Sequence, residues 1–549
     1  MLRVAIFWGA VCIAVLVNAA KAQSPDAQRP ESSAQERKPS IEELLRRIDA
    51  LEHEVHELRR ERGSKTSPPA PRRAASKLAP AELATPQPIV SSAAGPVAPA
   101  LQAAPPRGLL PPEPMGHQYE TEDALRSDLP GLTQRIPGSQ SEVRFYGFAN
   151  VNGYRDFNAR NQNDAPAAQT IPLANSTAAM QGGDFGLSAR FSRFGIDTRS
   201  LTDWGTLETR IEGDFGGSSP LTTNAAFRLR LAFGEIGTEQ FRVLVGQANS
   251  LWNEGVYETV NFATNLNQSF VRQPQVRFIT TLAPGLTGQL SLEMPDTQFT
   301  STAGVFTPTS SPIGGLSPAF DSAPDLLGRL TYRSDGLILD MRGLLRDLGM
   351  RTEGTLAAPP ALTENVLGWG LAADVRLPMH WLSPAFGPDQ LIGMAYYGQG
   401  IGRYFGSNTF GQDALSNIGL PGTATALSFD ALPTYGVSGA YRRFWTPQLR
   451  SNFIYSYAWQ NYPSYALLFT PGSAAATSLN SNMQQAIVNL IWSPFAEVAD
   501  GAVGTGWLDV GLEYVYTHRD VFGGSAATDG VGDGFGTGSR IYGSVTVRF

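Results

Sequence analysis

From Val143 onward the chain alternates apolar and polar residues in short runs. In "GTLETRIEGDF", Leu207, Thr209, Ile211, Gly213 and Phe215 fall on one side, and Thr206, Glu208, Arg210, Glu212 and Asp214 on the other. Successive side chains of a β-strand point to opposite faces, so this period of two predicts a strand with one apolar and one charged face. "SRIYGSVTVRF" repeats the pattern, with Ile541, Gly543, Val545, Val547 and Phe549 opposite Arg540, Tyr542, Ser544, Thr546 and Arg548. Leu508, Val510, Leu512, Tyr514 and Tyr516 give another apolar face, and Phe453, Tyr455, Tyr457 and Trp459 a further one. About sixteen such segments follow one another, the even count that a bacterial barrel requires.

The connections alternate too. "LTDW", "GTEQ", "APG", "RSDG", "WTPQ" and the stretches near Pro378 and Pro494 are mostly short. Between them lie long segments rich in Gly, Ser and Asn: 158–184, 217–224, 250–271, 296–324, 348–363, 403–433, 462–481 and 520–538. Short turns at one end and long loops at the other mark an outer-membrane barrel. A soluble sandwich has no reason to collect every long loop at one end. The expected fold is therefore all-β, a transmembrane antiparallel barrel of about sixteen strands over residues 142–549. Its last strand must pair with "VRFYGFANVNGY" to remove the open edges. The apolar alternation ending at Phe549 also resembles the C-terminal signal read by the barrel-assembly machinery.

Upstream the pattern changes from two to three and four. Ser40 and Glu43 form a capping box, and Ile41, Leu44, Ile48, Leu51, Val55 and Leu58 follow at heptad spacing. Residues 40–62 are expected to form a short parallel coiled coil on the periplasmic side, with Arg47 facing Glu52 and Glu54 facing Arg59 across the seam. The alternative is a single helix docked on the barrel. Before it, Arg3, the apolar run "VAIFWGAVCIAVLV" and Ala20-Lys21-Ala22 make residues 1–22 a signal peptide. Residues 23–39 are expected to be disordered. Residues 63–141 read as a Pro/Ala-rich linker.

Composition adds little to the fold but restricts the chemistry. The chain has 549 residues and a net charge of −7. Its mean hydropathy of −0.15 suits a soluble protein, but a β-barrel escapes that test because only alternate residues meet lipid. Cys12 is the only cysteine and lies in the expected leader. Processing would leave no thiol for a disulfide, metal site or nucleophile. No metal-ligand cluster or phosphate-binding loop stands out, so neither metal nor cofactor is expected, and the acidic balance gives no reason to expect nucleic acid.

The four lysines, Lys21, Lys38, Lys65 and Lys77, all precede the barrel. Arginines occupy the expected inward faces: Arg144, Arg210, Arg228, Arg230, Arg242, Arg277, Arg329, Arg333, Arg342, Arg346, Arg442 and Arg450. A guanidinium binds carboxylates through two parallel hydrogen bonds, so such a wall would attract and orient small anions. The competing reading makes these arginines struts paired with Glu208, Glu212, Asp214, Asp340 and Glu513. Arg210, Arg228 and Arg230 are the strongest candidates, because three arginines on neighbouring strands meet only two or three acids there. The stretch 250–271 would narrow the lumen if it folded inward, and Glu254 and Glu258 would then face the arginine wall. As an ordinary external loop it would do neither. His518 beside Asp520 is the one candidate for hydrolytic chemistry, a rim pair able to activate water. Catalysis is not the expected role.

Five stretches resemble the DcaP-like family of outer-membrane porins: "SRFGIDTRS" (192–200), "ETRIEGDFGG" (208–217), "FRLRLAFGEIG" (227–237), "VLVGQANSLW" (243–252) and "GIGRYF" (400–405). The resemblance implies a periplasmic N-terminal coiled coil, a sixteen-stranded barrel that trimerises, and passive uptake of small anions such as dicarboxylates. Arg210, Arg228 and Arg230 match its basic wall positions. Two roles are therefore weighed. One is a diffusion porin, a homotrimer in outer-membrane lipid, passing carboxylate solutes along Arg210, Arg228, Arg230, Arg277, Arg342, Glu212, Asp214, Glu254 and Glu258. The other is a structural anchor that reaches the cell wall through its N-terminal helix and linker.

Overall fold

The computed structural model describes residues 132–549, apart from 219–222, 255–256, 262–264, 310–315, 353–362, 406–408, 421–426, 497, 500–501 and 504–505. The expected signal peptide, disordered segment and coiled coil, and the linker as far as residue 131, lie outside the described residues.

One sheet holds nineteen strand segments. Three are short additions, and the other sixteen form the barrel: β1 Ser141–Asn158, β2 Arg193–Thr202, β3 Gly205–Asp214, β4 Arg228–Gly237, β5 Phe241–Asn249, β6 Arg272–Ala283, β7 Leu286–Glu293, β8 Asp325–Ser334, β9 Leu337–Arg351, β10 Thr363–Pro378, β11 Gln390–Gln399, β12 Pro433–Thr446, β13 Leu449–Gln460, β14 Asn480–Trp492, β15 Leu508–Val521 and β16 Phe535–Arg548. Each pairs antiparallel with the next. β16 pairs antiparallel with β1, from Phe148 opposite Arg548 to Asn158 opposite Ser539, so the sheet closes without a free edge. Phe549 continues the pairing, exchanging backbone hydrogen bonds of 3.0 and 3.1 Å with Gly147.

The alternation read from the sequence is the alternation of lumen and outer surface. On β3, Ile211 is exposed outward while Arg210 and Glu212 are buried inward. On β16, Val545 and Val547 face out and Tyr542, Thr546 and Arg548 face in. Strand pairing begins earlier than expected, because Leu132–Arg135 pairs with Glu142–Phe145 of β1. The end of the expected linker thus belongs to the sheet.

Among the described residues, the long connections lie at one end. At the other, most turns are two or three residues, and Trp204, Trp381, Trp445, Trp492 and Trp507 are exposed there. Tryptophan favours the boundary between hydrocarbon and water, so these residues form one aromatic girdle. Phe157, Tyr435, Tyr457, Trp459 and Tyr514 lie outward nearer the long loops. Two of those loops cooperate. Phe299–Ser301 and Gly304–Phe306 join Ala414–Ser416 and Phe429–Ala431 in a separate four-stranded sheet.

Candidate functional site

The described residues of 250–271 leave β5 and enter the lumen. Their anchor is apolar. Leu251, Trp252, Tyr257 and Val260 pack with inward residues of the facing wall, among them Leu327, Leu344, Ile392, Met394, Ile454, Ile487 and Val515. Trp252 is fully buried and meets Tyr404 and Phe405 edge-on, at centroid distances of 6.1 and 6.2 Å. A residue larger than glycine at 370 would collide with its ring, with 2.9 Å from the added carbon to Trp252 Cη2. An inward apolar patch of this size was not expected from the sequence. Its residues look like ordinary members of alternating strands, and only the loop laid across them makes them a core.

Polar groups then fix the loop strand by strand. Arg329 of β8 donates to the Asn253 carbonyl at 2.9 Å. Arg342 of β9 donates to the Trp252 carbonyl and lies 3.4 Å from Glu254. Arg450 of β13 grips the Glu258 carboxylate through Nε at 2.9 and 2.7 Å, and Arg442 of β12 stands 3.6 Å away. Glu513 of β15 accepts from the backbone N–H groups of Val260 and Asn261 at 2.8 and 3.1 Å. Gln485 of β14 accepts from the Leu266 N–H at 2.7 Å, and Tyr396 of β11 donates to Asn267 at 2.9 Å. Glu254 and Glu258 therefore do face arginines, as ties rather than open charges. Glu513, expected as an arginine's partner, receives loop amides instead. The family of contacts crosses the barrel, so the loop is a fixed inner wall.

On the opposite side, β1 to β4 carry a charged ladder. Asp197 accepts from Arg210 at 2.7 and 3.1 Å and from Arg144 at 3.1 Å. Glu212 accepts from Arg230 at 3.1 Å and from the Tyr146 hydroxyl at 2.9 Å, with Arg193 3.4 Å away. Asp214 accepts from Arg228 at 2.6 and 3.0 Å and from Arg230 at 2.9 Å. The five guanidiniums of Arg144, Arg193, Arg210, Arg228 and Arg230 share the three carboxylates of Asp197, Glu212 and Asp214 in these contacts. The candidates Arg210, Arg228, Arg230, Glu212 and Asp214 thus come together. Their acids include Asp197, which the sequence reading left out. Arg228 has the most exposed side chain of the three arginines, 38% against 4% for Arg210 and Arg230.

The sequence could not show how Arg230 reaches this ladder. Glu212 pairs with Leu231 and Gly213 with Leu229, leaving Arg230 as an extra residue in β4. Such a bulge re-aims side chains and shifts the alternation by one. Beyond it Leu231, Phe233 and Glu235 are buried, and the first two pack with Leu244 and Ala248. Arg277 lies apart from the ladder, on β6, where Nε donates to Gln275 at 3.0 Å. Arg342 stands across the lumen, also 2.6 Å from Asp374. The ladder therefore does not extend to every candidate residue.

His518 Nε2 and Asp520 Oδ1 are 3.0 Å apart. Both lie on the outward register of β15, with Tyr514 and Tyr516. The pair therefore points away from the lumen.

Residues 128–298 match the family model of the DcaP outer membrane protein. The DcaP resemblance holds. The matched stretch runs through β7 and contains the ladder and the inward loop. Among solved structures, the outer membrane channel DcaP of Acinetobacter baumannii is similar with a TM-score of 0.56 and 20% identity, covering 77% of this chain and 100% of that one. An anion-selective porin from Comamonas acidovorans follows at a TM-score of 0.42 and 11% identity, over 74% of this chain and 100% of that one. OmpF of Salmonella typhi, in complex with daunomycin, gives 0.42 and 10% over 76% and 100%. No curated protein matches the chain. The fold is that of a bacterial outer-membrane porin.

Proposed function

We propose that this DcaP-like barrel is a passive diffusion channel for small anions, carboxylates and dicarboxylates first among them. The observation that supports the reading is the gathering of five guanidiniums, Arg144, Arg193, Arg210, Arg228 and Arg230, around Asp197, Glu212 and Asp214 on one wall. A wall dense in guanidinium groups raises the local concentration of anions. Arg228, the most exposed of its three candidate arginines, is placed to exchange a contact with Asp214 for one with a passing carboxylate. The long loops would face outside the cell and the N-terminal region the periplasm, with the barrels assembled as a homotrimer.

The burial of the inner wall favours a second reading. Most inward side chains of β8–β16 are buried, some in a cluster with the loop, as they would be in an anchor whose N-terminal region reaches the cell wall. Conductance of the purified protein in planar bilayers separates the two. A channel should give discrete openings, and a salt gradient should displace the reversal potential towards that of the anion. Replacing Arg228 and Arg230 together by Ala should reduce that displacement and slow a small dicarboxylate more than a neutral sugar of similar size. A bilayer that stays silent would favour the anchor. Cation preference, or equal slowing of both solutes, would leave the ladder as a set of struts.

A further inference from the structure

Three inward residues of β1 stand out by what they lack. Asn150 donates through Nδ2 to Ser544 Oγ at 2.9 Å and to Thr546 Oγ1 at 2.8 Å, both across the β1–β16 seam. This is how an inward carboxamide fastens itself to its own wall. Asn152 sits one rung further along, opposite Ser544, and does no such thing. It is fully buried, and neither its Nδ2 nor its Oδ1 has a hydrogen-bond partner among the described residues. The Tyr154 hydroxyl and the Asn150 Oδ1 are also buried and unpartnered. A buried polar group left unpaired is destabilising, and this one strand carries a run of them.

The run has a fixed frame. Arg540 is held by Asp156 at 2.6 and 2.9 Å, and its guanidinium carbon lies 3.9 Å from the centre of the Tyr154 ring. The same ring covers Gly186, where an added Cβ would lie only 2.3 Å from it. The Tyr154 ring thus packs against both Arg540 and the Gly186 backbone. Asn152 lies two residues away on the same face, at a spacing of about 6–7 Å.

We infer that Asn150, Asn152 and Tyr154 form a neutral hydrogen-bonding subsite that takes the hydroxyl group of a small hydroxylated carboxylate. The inference rests on the channel reading. A hydroxyl both donates and accepts, matching the unpaired Oδ1 and Nδ2 of Asn152, and the Tyr154 hydroxyl adds a group that can do either. The subsite carries no charge of its own, which leaves the carboxylate for the arginines. It is covered in this conformation, so entry of a solute displaces neighbouring side chains, and pairing the unmet groups favours that displacement.

The test compares malate with succinate, dianions of equal chain length that differ by one hydroxyl. Efflux of each is measured from proteoliposomes holding the full-length protein, at low concentration. Malate should pass roughly three- to ten-fold faster than succinate, the factor expected for one hydrogen bond. Tyr154→Phe, which removes only an oxygen, and Asn152→Leu, which keeps the volume, should both bring the ratio towards one. A wild-type ratio of one, or a ratio that both variants preserve, would overturn the subsite and leave these atoms to trapped water. If neither dianion passes, the channel reading falls and this subsite with it. Tyr154→Phe keeps the ring beneath Arg540, so it reports even if Asn152→Leu fails to fold.

Discussion

The Glu258 carboxylate accepts from Arg450 Nε at 2.9 and 2.7 Å, although 192 residues separate the two. Both side chains are buried, so the pair is a clamp between the inner loop and β13. Removing one partner of a buried ion pair costs about 3–5 kcal/mol, because the other charge is left uncompensated. Glu258→Gln should therefore loosen the loop and raise the size and noise of single-channel currents. Glu258→Gln with Arg450→Gln should recover part of the quiet behaviour. Identical currents from wild type and the single variant would show that apolar packing alone seats the loop.

Trp252→Ala tests that packing directly. Truncating a fully buried tryptophan costs about 3–5 kcal/mol, and here the loss falls on the loop's hold rather than on the sheet ladder. The barrel should keep its heat-resistant mobility on gels, while added protease should cut within 250–271 more readily. A barrel that no longer folds would show that the loop is needed for closure.

Gly147 lies under the Phe549 ring. A Cβ there would stand 2.5 Å from the Arg193 carbonyl and 2.8 Å from Phe549 Cζ. Gly147→Val should lower the yield of folded barrel in detergent refolding and slow its appearance. Gly543→Val is the control, since an added Cβ at 543 meets nothing within 4 Å. Equal yields from the two variants would remove the Gly147–Phe549 contact from the account of closure.

Asp413 ties the outer loops together. Its carboxylate accepts from the Gln298 N–H at 3.0 Å and from the Arg403 N–H at 2.8 Å, and Arg346 lies 2.7 Å away. Asp413→Ala leaves these donors unmatched. Hydrogen exchange should rise in 296–306 and 400–416, with β1–β4 unchanged. No rise in those loops would show that the Phe299 cluster holds them without it.

The barrel was legible because its grammar is local. A period of two needs no partner to be read, and lipid on one side and lumen on the other write opposite chemistries into successive residues of one strand. Ile211 out and Arg210 in could be read from five residues, and the same logic led to β16 closing on β1. Charge-bearing residues were found equally well: Arg210, Arg228, Arg230, Glu212 and Asp214 do meet.

What they do together was decided by register. The sequence alone determined that Arg230 belongs to an alternating strand, and only the tertiary structure made it an extra residue that shifts Leu231 and Phe233 inward. Asp197 entered the ladder because β2 sets it opposite Arg210, and no spacing along the chain says so. The inward course of 250–271 was likewise undecided by its own residues. Glu254 and Glu258 suit an external loop as well as an internal one until Arg342 and Arg450, on distant strands, are brought within reach of them. Alternation fixes which face a side chain takes, a property of neighbours in sequence. Pairing and burial depend on which strands lie side by side and what crosses the space between them, and that exists only once the sheet has closed.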